Sequence, residues 1–290
     1  MVAACKTCAR VRLMPAMAEL AEIYCYPVKS LRGAQRKTAK VQLIGLEDDR
    51  RFLVVDASAR FQTITQLPKM VQVEVETKPD GIVLRHADAG ACFVSTPRQG
   101  APEETVTIWE DSVRALAAGA EADNFLSLLL GTPLRLVYLA NPRGRRVETA
   151  INAGEDHVSF ADVTPILLTS TTSLADLSER AGCDIAIRRF RPNLVVSGTP
   201  PFAEDTWREI RIGAVRFRVA APCARCAITT RDPDTGEQLD PYEPLRTLQR
   251  FHRARDGSAM FGQYLIPDNE GTVGVGDKVE VLSAGASNLM

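Results

Sequence analysis

Short runs of alternating apolar and polar residues, separated by turn residues, recur along this chain of 290 residues. Such alternation is typical of strands that bury one face of a sheet. In the first half it predicts strands over residues 22–27, 38–46, 51–55, 71–76 and 82–85. The sequence Pro79-Asp80-Gly81, between the last two, predicts a hairpin turn. The first half is therefore predicted to be all β, as a meander with at least one hairpin.

The spacing of apolar residues becomes helical over residues 120–130, where Phe125, Leu128 and Leu129 share one face. Gly131 and Pro133 predict the end of this helix, and a strand follows over 134–139. We place the domain boundary at this strand. The predicted divisions are a flexible N-terminal tail (1–18), a first domain (19–139), a second domain (140–283) and a C-terminal tail (284–290).

The second half is predicted to combine one clear helix with further short strands. The helix spans 173–181, with Leu174 and Leu177 on its inner face and Gly182 as its stop. The other predicted elements are strands at 193–196, 209–212, 214–219 and 262–266, a short helix at 245–253 and a tight terminal hairpin at 271–282. The predicted fold class is mainly β with a few helices (α+β), with a barrel or sandwich in each half.

The overall composition excludes several classes of function. The formal net charge of -1 gives no general argument for binding nucleic acid or an anionic membrane surface. No apolar run approaches the ~20 residues that span a bilayer, and seven scattered cysteines, an odd number, do not form a disulfide framework. We expect a protein of the reducing cytoplasm, with no nucleic acid and no membrane partner, and we assign no function to residues 1–16.

The segment with the strongest chemical signal is Cys223-Ala-Arg-Cys226, which follows a strand that we expect Pro222 to end. Two thiols and a guanidinium at a strand end are fixed by the sheet and open to a ligand. A thiolate beside Arg225 is expected to have a lowered pKa. It is then available as a nucleophile or a soft-metal ligand.

Less specific interpretations of a Cys-x-x-Cys pair are half of a zinc site, a redox dithiol, or two small packed residues. The other pair, Cys5 and Cys8, lies far upstream, so a shared four-cysteine zinc site is not expected. A thioredoxin-like dithiol needs a following helix, which the Pro-Asp-Thr-Gly turn at 233–236 disfavours. Simple packing of the two cysteines stays open from the residues alone.

Six segments occur in one order between residues 19 and 282, over nearly the whole chain. They are Tyr26-Pro-Val-Lys-Ser30, Phe160-Ala-Asp-Val-Thr-Pro165, Ser173-Leu-Ala-Asp-Leu177, Arg189-Phe-Arg-Pro-Asn193, Cys223-Ala-Arg-Cys226 with Asp232-Pro-Asp-Thr-Gly236, and Phe261-Gly-Gln-Tyr264. Together these segments resemble the MOSC family of molybdenum-cofactor proteins, in particular its amidoxime-reducing members and bacterial reductases of N-hydroxylated bases.

This resemblance implies an N-terminal MOSC-type β-barrel domain packed on a MOSC β-barrel domain, with the molybdenum cofactor (Mo-molybdopterin) in the cleft. It implies that Cys226 is the protein ligand to molybdenum and the catalytic residue. The cofactor contacts implied in the same way are Lys29, Ser30, Arg51, Thr164, Arg191, Asn193, Arg225 and Tyr264. Ala224 stands where close relatives often have a serine, so a hydroxyl contact is lost there. Pyridoxal phosphate binding is also associated with the family, and we assign no residue to it.

Several other candidate residues are expected to have no part in the chemistry. Arg188 and Arg189 are interpreted as exposed charges at a strand edge. The three histidines are isolated from the motifs and are interpreted as structural or surface residues. Cys223 is assigned no role, and its replacement by serine is expected to be tolerated.

The function implied by the resemblance is the reduction of small N-hydroxylated molecules by removal of oxygen at molybdenum. No cysteine follows Cys226 and no dinucleotide fingerprint is present, so the electrons are expected from an external ferredoxin-like or flavin reductase. Two alternatives stay open. One is a sulfur carrier of the cofactor-sulfurase type, with a persulfide on Cys226, and the other is a non-catalytic module that binds the cofactor.

Overall fold

The computed structural model describes residues 17–148 and 155–289. Residues 1–16, with Cys5 and Cys8, lie outside these ranges, so the expectations for them are untested. Within the described ranges, no helix is long and apolar enough to cross a membrane.

The described residues are mainly in strands, which confirms the predicted fold class. The strands are β1 (Glu19–Cys25), β2 (Ala34–Arg36), β3 (Thr38–Gln42), β4 (Gly45–Leu46), β5 (Phe52–Asp56), β6 (Glu74–Lys78), β7 (Gly81–His86), β8 (Gly90–Ser95), β9 (Glu103–Ile108), β10 (Asp111–Ala117), β11 (Leu134–Tyr138), β12 (Ile166–Ser170), β13 (Leu194–Ser197), β14 (Trp207–Ile212), β15 (Val215–Ala224), β16 (Met260–Pro267), β17 (Gly271–Gly274) and β18 (Val279–Ala284). The α-helices are α1 (Ala120–Leu130), α2 (Thr171–Ala181) and α3 (Leu245–Phe251). The 3₁₀ helices are Pro68–Gln72, Ile187–Phe190, Ala203–Thr206 and Ala227–Thr230.

The largest sheet has eight strands in the order β18-β14-β15-β16-β12-β13-β1-β2. β1 pairs antiparallel with β13, so a strand of the first predicted domain lies inside the sheet of the second. Leu20 and Ile23 of β1 are buried in the core of this sheet together with Phe217 and Leu265. The two predicted domains thus share a sheet, and the boundary near residue 139 stays a prediction.

The other N-terminal strands form a four-stranded sheet, β5-β11-β10-β9, and a three-stranded sheet, β6-β7-β8, while β3 and β4 form a sheet with β17. The predicted meander is therefore wrong, because its strands belong to four different sheets, but the predicted hairpin is confirmed, since Lys78 pairs with Gly81 across the turn. Leu84 of β7 and Leu126 of α1 are buried in one core, which packs the helix on this part of the chain. α1 ends as predicted, because Gly131 adopts the left-handed conformation that closes a helix.

Three predicted elements in this fold differ from the structure. The single strand predicted over 38–46 is two strands, β3 and β4, paired antiparallel. The strand predicted over 71–76 begins only at Glu74, because Pro68 fixes φ at the first position of a 3₁₀ helix, Pro68–Gln72. The terminal hairpin is also wrong, since β17 pairs with β3 and β18 pairs with β14. Val273 of β17 and Val279 of β18 are both buried in the large core. Because burial of these side chains sets the pairing, the two strands pair with different neighbours.

The Pro-Asp-Thr-Gly turn docks on the first half of the chain. The Asp232 carboxylate accepts the next two free amides of the turn, which fixes its shape. Gln72 Nε2 donates to the carbonyl of Thr235 at 2.8 Å. Gly236 has φ +76, and an added Cβ there would overlap the carbonyl oxygen of Pro68. The turn is therefore a contact between the two halves, and only glycine fits at its last position.

Candidate cofactor site

The two thiols of the Cys-x-x-Cys segment lie at the end of β15. The prediction that Pro222 ends this strand is wrong, because Pro222 pairs with Gln263 of β16 and is flanked by irregular register. A bulge is where a sheet tolerates proline, since the missing N–H is not needed there. Cys223 is consequently buried within the sheet, whereas Cys226, just beyond the strand, is exposed.

Cys223 makes polar contacts rather than filling an apolar space. Nη1 of Arg225 donates to its sulfur at 2.7 Å, and the thiol donates to the carbonyl of Ala224 at 3.6 Å. Burial raises the pKa of Cys223, although Arg225 and Tyr264 act to lower it. The expected lowering of the pKa is therefore wrong for this thiol, because loss of water outweighs the guanidinium. Burial and the sulfur also raise the pKa of Tyr264, so both groups are protonated at neutral pH.

Arg225 connects the thiols to the loop before β13. Its Nη2 donates to the carbonyl of Phe190 at 2.6 Å, and the guanidinium lies 5.3 Å from the centre of the Phe190 ring. Its Nε is buried and has no hydrogen-bond partner among the described residues. One donor of this side chain is therefore left to a ligand.

Arg189 fixes the chain that follows Cys226. Its Nε donates to the carbonyl of Thr229 and its Nη2 to the carbonyl of Glu243, both at 2.6 Å. Arg189 is 5% exposed, so the prediction of an exposed charge is wrong for it. Arg188 is partly exposed and forms a bidentate ion pair with Asp234. These contacts were not predicted, because a run of three arginines in five residues gives no sign of which ones are buried.

Lys29 is buried and faces the loop between residues 160 and 165. Its Nζ donates to the carbonyl of Phe160 at 2.9 Å and to Oδ1 of Asp162 at 2.5 Å. Burial lowers the pKa of Lys29, and the Asp162 charge opposes this shift. Burial also acts to raise the pKa of Asp162, but Lys29 and Arg50 outweigh it and hold the pKa at about 2. The side chain of Asp162 is 56% exposed, so the carboxylate end of this ion pair reaches the surface.

Arg50 and Arg191 both stack on the buried ring of Tyr26. Their guanidinium carbons lie 4.5 Å and 4.3 Å from the centre of that ring. Burial lowers the pKa of Arg191 to about 10, and the charge of Arg50 contributes to this shift. The Tyr26 hydroxyl is buried and has no partner within the described part of the chain. Arg50 is paired with the buried carboxylate of Asp49 at 2.6 Å, whereas Arg191 has no acidic partner among the described residues and lies beside an unpaired hydroxyl, an arrangement that suits an anion.

Asn193 ties this pair of arginines to the large sheet. Its Oδ1 accepts from Nη1 of Arg50 at 3.0 Å and from the amide of Leu167, and its Nδ2 donates to the carbonyl of Tyr24. The structure therefore places Asn193 as a support for the site. Arg51, the predicted contact, instead donates to the carbonyl of Leu139 and stacks on Tyr138.

The structure does not bring Arg51 together with the other predicted contacts, and it places Arg50 among them instead. Arg50 was missed because the two arginines are adjacent in sequence. The difference lies in the backbone, since Arg50 has φ +49. Ser30 and Arg191 also have positive φ, at 70 and 53. Strained conformations of this kind cluster at ligand sites.

Ser30 and Thr164 are both buried. Ser30 follows Lys29 directly, and Thr164 Oγ1 donates to the carbonyl of Ile166 at 3.3 Å within the Asp162 loop. The charge of Asp162 acts on the pKa values of both Cys223 and Tyr264. Asp162 therefore lies close enough to act on both the Lys29 ion pair and the groups at the end of β15. In the described parts of the chain, no group of three or more His, Cys, Asp or Glu side chains is arranged to hold a metal ion.

Comparison with known proteins assigns both halves of the chain. A model of the MOSC domain matches residues 155–280, and a model of the MOSC N-terminal beta barrel domain matches residues 17–133. The chain is 32% identical over 289 residues to mitochondrial amidoxime-reducing component 1 of Homo sapiens, covering 94% of this chain and 86% of that protein. It is 31% identical over 286 residues to mitochondrial amidoxime reducing component 2 of Bos taurus, covering 93% and 85%.

Among solved structures, the YuaD protein of Bacillus subtilis covers 91% of this chain and 94% of its own chain at 10% identity. The TM-score of 0.40 is too low to carry an argument. The two matched models and the identity to full-length relatives agree with the order of motifs found in the sequence. The chain belongs to the MOSC family, with a MOSC N-terminal β-barrel domain followed by a MOSC domain.

Proposed function

We propose that this protein is a molybdenum-cofactor-dependent reductase of N-hydroxylated compounds, namely amidoximes, hydroxylamines and N-hydroxylated bases. The observation that carries the proposal is the identity of 32% over 94% of the chain to an amidoxime-reducing component. The site supports it, because an exposed thiol, Cys226, adjoins a buried cluster of cationic side chains. The reducing cytoplasm stays the proposed location.

The residues at the site fit an anionic cofactor whose metal is bound by sulfur. Arg191 and Arg225 supply two guanidinium groups, whose forked donors match a phosphate, and Lys29 and Arg50 lie beside them in ion pairs with Asp162 and Asp49. The Nε of Arg225 and the hydroxyl of Tyr26 are buried without a partner in the described residues. A buried polar atom without a partner is costly, so both atoms favour a ligand that pairs them.

Each side chain has a role that follows from its contacts. Cys226 is the exposed soft ligand, and its carbonyl is fixed because the Thr229 amide and hydroxyl both donate to it. Lys29, Arg50 and Arg191 would hold the phosphate end. Tyr264 holds a proton on its hydroxyl at neutral pH, since burial raises its pKa. When bound, the molybdenum cofactor supplies the two-electron chemistry that removes oxygen from nitrogen.

The electrons are proposed to come from a separate ferredoxin-like protein or flavin reductase. The described part of the chain offers no cluster of ligands for an iron-sulfur centre. The partner would reach the site through the face on which Cys226 and Asp162 are exposed.

A second candidate is a sulfur carrier with a persulfide on Cys226. The exposure of Cys226, in contrast to the buried Cys223, favours this alternative as well, because a persulfide must be reached by its acceptor. A carrier needs the thiol alone. It gives no reason for the cationic cluster or for the two unpaired polar atoms, so we prefer the reductase.

The test is to purify the protein gently from a host that makes the cofactor, and to measure molybdenum, zinc, pterin and persulfide sulfur together. We expect near-stoichiometric molybdenum and pterin, with reduction of benzamidoxime when dithionite-reduced viologen is the donor. A nicotinamide donor alone is expected to give no turnover. Tightly bound zinc without pterin would overturn the proposal, and a persulfide on Cys226 without turnover would favour the carrier.

A further inference from the structure

Trp109 lies at the tip of the hairpin between β9 and β10. Ile108 pairs with Asp111, so only Trp109 and Glu110 form the connection. The first position of such a two-residue turn often needs a positive φ, for which glycine, asparagine or aspartate is preferred. Trp109 occupies it with φ 52 and is 50% exposed. A bulky residue in a strained conformation with an exposed aromatic side chain indicates a function other than the turn itself.

The indole is held in place on two sides. Its ring packs against Phe61, with centroids 4.8 Å apart and planes inclined by 58°. Its Nε1 donates to Oδ1 of Asp162 at 3.2 Å. The same carboxylate oxygen accepts from Lys29, and Lys29 lies 5.9 Å from the Phe61 ring. Trp109 is therefore fixed in orientation by the residues that line the candidate cofactor site.

Through Asp162, Trp109 of the first half of the chain contacts the candidate site in the second half. Asp162, its hydrogen-bond partner, is itself exposed and acts on the pKa values of Cys223 and Tyr264. An aromatic side chain that is rigid and half exposed at the rim of a site can stack on a flat molecule without a large cost in side-chain entropy.

We propose that Trp109 is a stacking platform at the mouth of the site and that it selects flat, aromatic N-hydroxylated substrates. This inference rests on the proposed function and deepens it by naming the substrate class. An amidoxime joined to an aromatic ring presents a planar face to the indole, whereas a short aliphatic amidoxime does not. The preference for the aromatic substrate then comes from Trp109 and not from the cofactor.

The test in the loaded enzyme compares Trp109→Phe and Trp109→Leu with the parent on benzamidoxime and acetamidoxime, using reduced viologen as the donor. Trp109→Leu is expected to lose about tenfold in kcat/KM for benzamidoxime, chiefly through KM, with little change for acetamidoxime. Trp109→Phe is expected to stay close to the parent on both. Equal losses of kcat/KM on the two substrates, or no loss on either, would overturn the inference. A fall in the pterin content of Trp109→Leu would also overturn it, because the indole would then cover the cofactor.

A second measurement separates this inference from the proposed function. The chain has two tryptophans, and Trp207 is only 4% exposed in the large core. Benzamidine, which carries no oxygen to remove, is expected to quench the fluorescence of the parent but not that of Trp109→Phe. Quenching without any reductase activity would support Trp109 as a stacking platform but overturn the proposed reductase function. Unchanged fluorescence in an active reductase would overturn the platform alone.

Discussion

Nη1 of Arg225 donates a hydrogen bond to the sulfur of Cys223 at 2.7 Å. The sequence does not indicate this role of Cys223, whose sulfur accepts a hydrogen bond from Arg225 at the candidate site. The two thiols of the segment therefore differ in kind. Cys226 is available to a ligand, and Cys223 holds the neighbouring guanidinium in place.

Two replacements of Cys223 should have different effects. Serine keeps an acceptor for Arg225, so Cys223→Ser should cost about 1 kcal/mol of stability and retain most activity. Alanine leaves Nη1 of Arg225 unpaired, so Cys223→Ala should cost about 1–3 kcal/mol more and lower pterin content. Chemical denaturation and pterin fluorescence on the same preparations check this. Equal behaviour of the two variants would show that the sulfur only fills space.

Replacement of Cys226 should remove molybdenum rather than stability. Cys226→Ser exchanges a soft thiolate for a hard hydroxyl, so metal content and reduction of benzamidoxime should fall by orders of magnitude. Because Cys226 is exposed, the melting temperature of the metal-free protein should change little. Cys183, exposed at the end of α2, offers a matched control, and Cys183→Ser should keep both metal and activity. Full activity of Cys226→Ser would contradict the assignment of the ligand.

The ring of Tyr26, and not its hydroxyl, is expected to hold Arg50 and Arg191 together. Tyr26→Leu removes the face on which both guanidinium groups stack, so pterin affinity should fall by about tenfold. Tyr26→Phe keeps the face but removes the hydroxyl that a ligand would pair, so its loss of pterin affinity should be smaller than that of Tyr26→Leu. In cofactor-free protein its stability should match the parent or exceed it by up to about 1 kcal/mol. If Tyr26→Phe lost as much pterin as Tyr26→Leu, the hydroxyl would be the contact that matters.

The pH dependence of stability should contain a contribution from Glu204. Ser173 Oγ donates to Oε1 of Glu204 at 2.7 Å, Oε2 has no partner in the described residues, and burial raises the pKa to about 7. A carboxyl with a raised pKa binds its proton more tightly in the folded state. The stability that it contributes is therefore present at low pH and is lost, by up to about 3 kcal/mol, as the pH rises from the unfolded pKa toward 7.

Glu204→Gln removes this titration and keeps an acceptor for Ser173. The melting temperature of the variant relative to the parent should therefore increase between about pH 5 and about pH 8. His252 is coupled to Glu204, because the Glu204 charge helps to raise the pKa of His252, so its titration contributes to the same difference. Glu179→Gln, on the exposed face of α2, controls for the loss of one carboxylate. A difference for Glu204→Gln that is independent of pH would contradict the raised pKa.

The close approach of the Pro-Asp-Thr-Gly turn to Pro68 can be tested with two glycines. Gly236 and Gly276 both have positive φ, but a Cβ at Gly276 meets nothing within 4 Å. Gly276→Ala should therefore cost about 1 kcal/mol from backbone conformation alone. Gly236→Ala adds an overlap with the Pro68 carbonyl and should cost at least about 3 kcal/mol. Equal losses of stability in the two variants, measured by chemical denaturation, would show that the turn can move away from Pro68 without destabilising the protein.

The sequence predicts the helices and the hairpin turn well where a local rule decides them. Gly131 and Gly182 end α1 and α2 because each takes the left-handed conformation. The partners of strands are not predictable in this way. Alternation shows that residues near Val273 and Val279 are extended, but only burial in a core assembled from distant strands decides what they pair with.

In the candidate site, too, some residues are predicted from the sequence and others are found only in the folded structure. Cys226, Arg225, Tyr264 and Lys29 lie in segments whose order along the chain indicates them. The position of Arg50 beside Tyr26 goes with a positive φ that the sequence does not reveal, and a cofactor contact of Arg51 stays a prediction.

The sequence does not indicate a role for Trp109 either. A tryptophan at a hairpin tip contradicts the usual turn chemistry, so its place beside Asp162 emerges only from the fold.

The pairing of β1 with β13 also has a consequence for folding. Tyr24 and Asn193, which this pairing joins, are 169 residues apart in the chain. Contacts of such long sequence separation form slowly, because a long loop must close before they stabilise anything. During synthesis β1 lacks this partner strand until β13, and with it most of the chain, has been made. Lys29 and Arg191 can therefore come together only after the chain has been made at least as far as β13, which ends at Ser197 of 290 residues.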